Sequence, residues 1–327
     1  MKAGRKVSLI SIVVLLTIIF MAAGLVYAVK DDDSAGEAEQ KTIGISEYDS
    51  TYQFFVVLTG GSKDKAAENN IATNIQDAQI DAAKQVGILE NFITQGVDGI
   101  IVSTVDGEAL SEVAKKAHDA GIPIVSLFVP IDEDYVLSNV VVDEYKYGHT
   151  IGKMAGEWAQ KNFPGEEIEA AILSMHDYKP GIERRRGEKE GFLEYFPTGK
   201  VIADEHSNTT VMAMEKTETL LQAHPDVRIF ICDSDDTGAL GAAEVLNAAI
   251  PKDEHYKYAV WGADAVPEAL KQIKTGGVYR GTVDVAPYNI GAMAVEQIMK
   301  FWNGESVEKT IFVEFIEVGY DAAVEKY

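Results

Sequence analysis

Short β-rich runs alternate with stretches of helical periodicity along the chain from Lys41 onward. The runs predict strands at residues 43–47, 71–75, 99–103 and 123–127. Between them, apolar positions recur at helical spacing over residues 56–70, 82–94 and 108–120. This βαβαβαβ order predicts a parallel sheet with helices on both faces.

The same pattern then restarts in the second half of the chain. Strands are predicted at residues 140–142, 168–174, 201–204, 228–232, 258–262 and 279–283, and helices at residues 148–161, 183–195, 212–222, 240–248 and 267–274. The segments QGVDGIIVS and AHPDVRIFI show weak internal similarity. Each is predicted to end a helix, turn at Gly or Pro and begin a buried strand. The predicted fold class is therefore α/β, with two similar doubly wound parallel-sheet lobes.

The N-terminus predicts export. Lys2, Arg5 and Lys6 precede 23 uncharged residues, and three aspartates follow at residues 31–33. Residues 1–28 are either a signal peptide cleaved after Ala28 or a retained membrane anchor, because the apolar stretch is long enough to span a bilayer. Residues 29–40 are acidic, poor in apolar side chains and predicted to be a linker.

Charge and motifs exclude several function classes. The chain has 52 acidic and 29 basic side chains, which argues against a general nucleic-acid surface. The single cysteine, Cys232, lies in an apolar run and is interpreted as a core residue, so no intrachain disulfide can form. Motifs for dinucleotides, nucleoside triphosphates, hydrolases and zinc proteases are missing. We therefore expect a protein that is not an enzyme and needs no cofactor or metal.

One segment, DSDDTGALGAAE at residues 233–244, nearly matches a twelve-residue calcium loop. Such a loop normally follows a helix, whereas this one follows a predicted strand. The alternative is a strand-to-helix turn whose acidic residues cap the helix or face a cleft.

Polar and aromatic side chains follow most of the predicted strands. In open α/β sheets, ligands bind beyond the carboxyl ends of the strands, so these side chains are the candidate binding residues. They are Tyr48, Tyr52, Phe54, Phe55, Ser103, Phe128, Arg184, Asn208, Asp235, Asp264 and Asp284. Carboxylates, an amide, an arginine and aromatic faces suit a polyhydroxylated ring, although some of the acids could simply cap helices.

The run of three arginines at residues 184–186 lies in a predicted helix, where successive side chains point about 100° apart. The three therefore cannot share one target. We expect Arg184 to face the cleft and its neighbours to contact nearby glutamates or solvent. On that basis, replacing Arg184 by Ala should leave the melting temperature of the ligand-free protein nearly unchanged.

From about Lys41 to Val318 the sequence resembles the sugar-binding type I extracytoplasmic (periplasmic) solute-binding proteins, the ribose-binding protein group. The resemblance is carried by KTIGISEYDSTYQFFVVL, GVDGIIVSTVDGEAL, AGIPIVSL, GIERRRGEKEGF, LLQAHPDVRIFICDSDDTGALGA and WGADAVPEALKQIKTGGVYRGTVDVAPYNIG. It implies that Phe54 and Phe55 sandwich the sugar, although both could also be ordinary core residues. It further implies that Arg184 and Asp264 bind sugar oxygens.

Several positions depart from that group's pattern. Asp235 stands where ribose binders have Asn, and Phe128 and Val129 stand where the group often has Asp-Arg. Its Gln after the last strand of the second lobe falls on Val285 here, beside Asp284. This more aromatic and more acidic set makes ribose itself a poor candidate.

The resemblance also implies lobes that exchange the chain three times, near residues 142–143, 285–286 and 314–315. The N-terminal lobe would comprise residues 41–142 and 286–314, and the C-terminal lobe residues 143–285 and 315–327. The implied function is hinge closure around a sugar or polyol that a monomeric protein delivers to an ABC-type permease. The alternative is a membrane-anchored ectodomain that reports the sugar to a receptor or kinase. A sugar-responsive transcription regulator would need a helix-turn-helix where the export segment lies.

Overall fold

The computed structural model describes residues 40–132, 134–176 and 178–327. The predicted export segment, and the predicted linker apart from Gln40, lie outside these residues. The strands are β1 (Thr42–Glu47), β2 (Ala72–Asp77), β3 (Gly99–Ser103), β4 (Ile124–Leu127), β5 (Ser138–Val141), β6 (Glu169–Ser174), β7 (Lys200–His206), β8 (Val227–Cys232), β9 (Ala259–Trp261), β10 (Tyr279–Asp284), β11 (Thr310–Phe312) and β12 (Ile316–Gly319).

Helices connect most of these strands. They are α1 (Gln53–Glu68), α2 (Ala82–Gln95), α3 (Gly107–Asp119), α4 (Glu144–Asn162), α5 (Gly181–Tyr195), α6 (Thr210–Ala223), α7 (Leu240–Ala249), α8 (Pro267–Lys274), α9 (Pro287–Trp302) and α10 (Tyr320–Lys326). A π-helical turn (Asp235–Ala239) precedes α7, and a 3₁₀ turn (Lys252–Lys257) follows it.

Within the described residues the strands form two six-stranded sheets. The first has the order β11-β5-β4-β3-β1-β2 and the second the order β12-β10-β9-β8-β6-β7. In each sheet the second strand along the chain lies at the edge, on one side of the first strand, and the later strands lie on the other side. Each sheet therefore has a topological switch point, between β1 and β3 in the first and between β6 and β8 in the second. The predicted α/β class with two similar doubly wound lobes is confirmed. The prediction of parallel pairing is wrong for one strand pair, because β12 is antiparallel to β10.

Most predicted strands and helices match the observed ones, because buried apolar runs and helix-capping residues can be recognised in the sequence. All five residues of β3 are buried, as a strand covered on both faces requires. The side chains of Asp81, Asp106 and Asp143 accept hydrogen bonds from backbone N–H groups at the starts of α2, α3 and α4. The cap on Asp143 starts α4 four residues before the predicted helix. The strands β11 and β12 and the helix α9 had not been assigned from the sequence.

The chain passes between the two sheets three times within the described part. The connections are those from β5 to α4, from β10 to α9 and from β11 to β12. The strands at these connections, β5, β10, β11 and β12, lie at or next to one edge of their sheets. The cleft between the two lobes lies at the carboxyl ends of the strands.

The two helices α4 and α5 pack closely in the second lobe. A Cβ atom at Gly148 of α4 would overlap the carbonyl oxygen of Arg184 on α5, and one at Gly187 of α5 would overlap that of Tyr145. Glycine at these positions lets the two backbones approach. The close approach fixes the position of Arg184 at the edge of the cleft.

Candidate ligand-binding site

A cavity of about 680 Å³, including the part that is open to solvent, lies between the two lobes. Nearly all of its lining follows the carboxyl end of a strand, where ligands bind in open α/β sheets. The lining residues are Tyr48, Tyr52, Phe54, Phe55, Thr104, Phe128, Val142, Tyr147, Met175, Tyr178, Arg184, Ser234, Asp236, Thr237, Asp264 and Val285. Its position between the lobes, at the ends of strands of both sheets, makes it the candidate binding site.

The wall contributed by the first lobe is aromatic. Tyr48 stacks on Phe55 with ring centroids 4.9 Å apart and 19° between the planes. Phe54 meets Phe55 edge to face at 5.1 Å. Phe128 lies 5.4 Å from Phe54 and 6.1 Å from Phe55. These rings are half-buried, so each keeps surface that a ligand's C–H groups could contact.

The wall contributed by the second lobe is polar and centred on Asp264, which is 7% exposed. Its Oδ1 accepts a hydrogen bond from the Tyr147 hydroxyl at 3.1 Å, and its Oδ2 accepts one from the Ser234 hydroxyl at 2.8 Å. Burial raises the pKa of Asp264 to about 6, although the charge of Arg184 and the two hydroxyls act in the opposite direction. The carboxylate is therefore held in place and mostly ionised at neutral pH.

Arg184 is held by an ion pair and a backbone carbonyl. Its Nε donates to Glu144 Oε2 at 2.7 Å, and its Nη1 donates to the carbonyl oxygen of Asp233 at 2.8 Å. The guanidinium lies over the Tyr147 ring, 4.7 Å from its centroid, and the Tyr178 hydroxyl donates to Glu144 Oε1. Burial alone would lower the pKa of Arg184, but the attraction of Glu144 outweighs it and raises the pKa well above its usual value. The arginine therefore remains charged.

Two buried carboxyl groups lie behind this wall. Burial raises the pKa of Asp233 to about 7, with Arg184 acting against it, and the Met175 N–H donates to its Oδ2 at 2.7 Å. Burial also raises the pKa of Glu188 well above its usual range, and both of its carboxyl oxygens lack a partner among the described residues. Such a group is most stable when it is protonated.

Strained backbone occurs at the edge of the cavity. Phe128 has φ 69°, Asp264 has φ 99° and Ala286, next to the lining residue Val285, has φ 52°. Residues other than glycine rarely adopt this region, and such strain concentrates where a ligand is held. The three residues follow β4, β9 and β10, so the strain lies where the strands of both lobes end.

Hydrogen bonds join the two lobes across the cleft. The Tyr52 hydroxyl donates to the carbonyl oxygen of Asn208 at 3.1 Å, and the Phe54 N–H donates to Asp236 Oδ2 at 3.2 Å. Lys179 forms an ion pair with Asp106 at 3.2 Å. These contacts describe a cleft in which the two walls face each other closely.

The structure brings seven of the predicted site residues to the cavity and leaves four outside its lining. Those at the cavity are Tyr48, Tyr52, Phe54, Phe55, Phe128, Arg184 and Asp264. Those outside are Ser103, Asn208, Asp235 and Asp284.

Asp235 lies inside the second lobe and not in the cleft. It is fully buried; its Oδ1 accepts hydrogen bonds from the Tyr279 and Thr282 hydroxyls, and its Oδ2 accepts one from the Val266 N–H at 3.0 Å. The π-helical turn after β8 directs this side chain inward, and its neighbour Asp236 lines the cavity instead.

The other three predicted residues outside the lining are Ser103, Asn208 and Asp284, and the position of each explains why. Ser103 is buried in β3, and the next residue, Thr104, reaches the cavity. Asn208 provides the carbonyl oxygen that meets Tyr52. The carboxylate of Asp284 accepts hydrogen bonds from the Ala286 N–H and the Tyr327 hydroxyl, and so holds the connection between β10 and α9.

The candidate set from the sequence did not include the remaining lining residues, although the resemblance had placed one of them, Val285, at the position of the group's Gln. They are Thr104, Val142, Tyr147, Met175, Tyr178, Ser234, Asp236, Thr237 and Val285. Thr104, Met175 and Val285 directly follow strands, so taking one more residue at each strand end would have found them. Tyr147 lies inside α4, and no pattern in the sequence connects it with Asp264.

The segment that resembles a calcium loop forms a strand-to-helix turn. Asp235 is buried, whereas Glu244 is exposed on α7, so the two carboxylates do not converge. Among residues 40–132, 134–176 and 178–327, no group of three or more His, Cys, Asp or Glu side chains could hold a metal ion. Cys232 is fully buried as predicted, and burial raises the pKa of its thiol.

Comparison with known proteins identifies the class that this two-lobed architecture defines. The sequence matches the family described as periplasmic binding protein domain over residues 43–306. It is 30% identical over 285 residues to the ribose import binding protein of Bacillus subtilis, covering 85% of this chain and 87% of that protein. The chain therefore belongs to the periplasmic binding protein family.

Solved structures agree with this assignment. A periplasmic solute-binding protein from Actinobacillus succinogenes with bound D-allose superimposes with a TM-score of 0.77 at 27% identity, covering 87% of this chain and 99% of that one. A solute-binding protein from Bacillus halodurans with bound myo-inositol gives a TM-score of 0.76 at 26% identity, covering 89% of this chain and 98% of that one. The fold is the type I periplasmic binding protein fold.

Family membership confirms the prediction of a binding protein rather than an enzyme, and it implies an exported protein. In the part of the chain that the structure describes, no helix combines the length and the apolar character needed to cross a membrane.

Proposed function

We propose that the protein binds a sugar or related polyol in this cavity and delivers it to an ABC-type importer by closing its lobes around the ligand. The observation that carries this proposal is the pairing of an aromatic wall, centred on Phe54 and Phe55, with a polar wall centred on Asp264 and Arg184. Aromatic faces stack on the C–H side of a sugar, and fixed polar groups bind its hydroxyls. Relatives whose names or ligands indicate ribose, D-allose and myo-inositol support the same ligand class.

The lobes that close are those in which the two sheets lie. We propose that residues 41–142 and 286–314 form the N-terminal lobe and that residues 143–285 and 315–327 form the C-terminal lobe. Closure then joins walls from different lobes, so the closed form is stabilised by a ligand that contacts both. We further propose that the protein acts as a monomer, which size-exclusion chromatography would test.

A thermal unfolding series tests the proposal. Residues 41–327, one compact unit, are heated with each member of a panel of neutral sugars and polyols. A true ligand at a hundred times its Kd stabilises the protein by about 2.7 kcal/mol, which is seen as a higher Tm. Phe55→Ala should abolish this shift, whereas Phe301→Ala, on an exposed ring outside the cavity, should preserve it. Unchanged melting curves across the whole panel would contradict the proposal.

A second candidate function is a membrane-anchored sensor that reports the same ligand to a receptor or kinase. The observation that favours it is the run of 23 uncharged residues near the N-terminus, which is long enough to remain in a bilayer as an anchor. N-terminal sequencing of the exported protein separates the two: a chain that begins after Ala28 indicates a released or peripheral binding protein, and one that keeps its first residues indicates an anchor.

A further inference from the structure

The one cationic side chain among the described residues that line the cavity is already neutralised. Arg184 pairs with Glu144 at 2.7 Å, and the two side chains are only 9% and 10% exposed. In such surroundings the charges interact strongly with each other and are shielded from solvent. To a ligand, this pair therefore presents little net positive charge.

Two carboxylates in the lining form no ion pair with a described residue, although the charge of Arg184 does act on Asp264. Asp264 accepts hydrogen bonds from neutral hydroxyls, those of Tyr147 and Ser234. Asp236 accepts a hydrogen bond from the Phe54 N–H, and neither carboxylate forms an ion pair with a described residue. Backbone amides and hydroxyls stabilise a carboxylate without cancelling its charge. The polar wall is consequently negative.

The opposite wall is also suited to positive charge. The faces of aromatic rings attract cations, most strongly where water is excluded. Within residues 40–132, 134–176 and 178–327, no Lys or Arg lies over the rings of Phe54, Phe55 or Phe128, whereas several other aromatic rings of the protein have such a neighbour. These three rings are thus available to a ligand.

An unsatisfied hydroxyl indicates that the ligand has polar groups besides a charge. Thr237 lines the cavity, is 2% exposed, and its Oγ1 has no hydrogen-bond partner among the described residues. Buried hydroxyls normally have a partner, so this atom is suited to a hydroxyl of the ligand.

We propose that the preferred ligand is a hydroxylated ring that carries a protonated amine, an amino sugar or amino polyol, with the amine bound by the carboxylates of Asp236 and Asp264. This inference rests on the proposed function, in which the cavity binds a sugar or polyol. It adds the charge of the ligand, which follows from the unpaired carboxylates and the free aromatic faces.

Matched ligands that share one ring test the charge separately from the ring. Binding to the purified protein is measured by isothermal titration calorimetry at pH 7.5 for D-glucose, D-glucosamine and N-acetyl-D-glucosamine. The galactose series and myo-inositol with its amino-deoxy derivative are measured in the same way. The amine should bind at least tenfold more tightly than its neutral parent in one series or more, and the N-acetyl compound should lose this gain, since it keeps the nitrogen but not the charge.

The outcomes are distinct. If neutral compounds bind as tightly as their amines in every series, the amine inference is wrong and the proposed sugar-binding function stands. If no compound of these series binds, neutral or charged, the amine inference is wrong, and the sugar and polyol panel of the thermal unfolding series decides the proposed function separately.

Charge-removing variants locate the effect within the cavity. Asp264→Asn and Asp236→Asn keep the size of the side chain and an acceptor oxygen but remove its charge, so each should weaken the amine by at least tenfold more than it weakens the neutral parent. Asp253→Asn, at an exposed position in the 3₁₀ turn, is the control and should change neither. Equal losses for the amine and the neutral compound would overturn the proposal.

Discussion

At the scale of single residues, Arg184 stabilises the fold as well as facing the cavity. The sequence predicted that its replacement would leave the melting temperature of the ligand-free protein nearly unchanged. The structure favours the opposite expectation, because Arg184 is buried against Glu144. Without the arginine, a nearly buried carboxylate is left without its cation, which typically costs 3–5 kcal/mol.

Arg184→Ala should therefore lower the free energy of unfolding by about 3 kcal/mol, as well as abolish ligand binding. Urea denaturation of the ligand-free protein measures the first effect. Arg186→Ala is the control, because Arg186 pairs with Glu183 and Glu190 on the exposed surface of α5, where such pairs contribute about 0–1 kcal/mol. Equal stability of the two variants would show that the buried ion pair does not stabilise the fold.

Asp264 should make stability depend on pH in a direction opposite to that of most acidic residues. The pKa of Asp264 is raised to about 6 in the folded protein and is about 4 in the unfolded chain. Between these two pH values, the folded protein keeps a proton on Asp264 that the unfolded chain has released. Stability from this group is thus greatest below pH 4 and is lost as pH rises to about 6, by on the order of 2–3 kcal/mol. The charged and titratable groups that interact with it are Arg184, Tyr147, Asp233, Asp235, Asp236 and Tyr279.

The difference in the free energy of unfolding between the wild type and Asp264→Asn isolates this contribution. Urea denaturation from pH 4 to pH 8 should show the wild type losing stability relative to the variant as pH rises, with the change centred between pH 4 and 6. A difference that does not vary with pH would contradict a raised pKa for Asp264.

At the scale of secondary-structure elements, most strands and helices were predictable, but the orientation of residues at their ends was less so. Periodicity identifies β3 and β8, because their apolar residues are buried on both faces. It does not indicate that the turn after β8 is π-helical, and that turn decides that Asp236 rather than Asp235 reaches the cleft. Tyr147 was missed for a related reason, since the crossing of α4 and α5 places it and periodicity along one chain segment does not.

The close packing of α4 against α5 supports a prediction about Gly148. In Gly148→Ala, the new methyl group would overlap the carbonyl oxygen of Arg184, so α5 must shift and carry the arginine with it. We expect a loss of about 1–3 kcal/mol in the free energy of unfolding together with weaker ligand binding. Gly87→Ala is a matched control in α2, where a Cβ atom has open space, and it should be neutral or stabilising by up to about 1 kcal/mol.

At the scale of the whole molecule, closure depends on contacts that join the lobes. The hydroxyl of Tyr52 in the first lobe donates to the carbonyl oxygen of Asn208 in the second, and Lys179 of the second lobe forms an ion pair with Asp106 of the first. Because they join different lobes, we expect these contacts to be lost when the cleft opens. They therefore favour the ligand-bound state without taking part in the fold of either lobe.

Tyr52→Phe should therefore weaken ligand binding while leaving the stability of the ligand-free protein unchanged. Removing one hydrogen bond of this kind typically costs about 0.5–1.5 kcal/mol, or roughly two- to tenfold in Kd. Tyr288→Phe is the matched control, since the Tyr288 hydroxyl donates to Asp64 within the first lobe at 2.9 Å, and its loss should leave Kd unchanged. Small-angle scattering should show less contraction on ligand addition for Tyr52→Phe than for the wild type at the same subsaturating ligand concentration. Equal Kd values for the two variants would mean that this contact between the lobes does not stabilise closure.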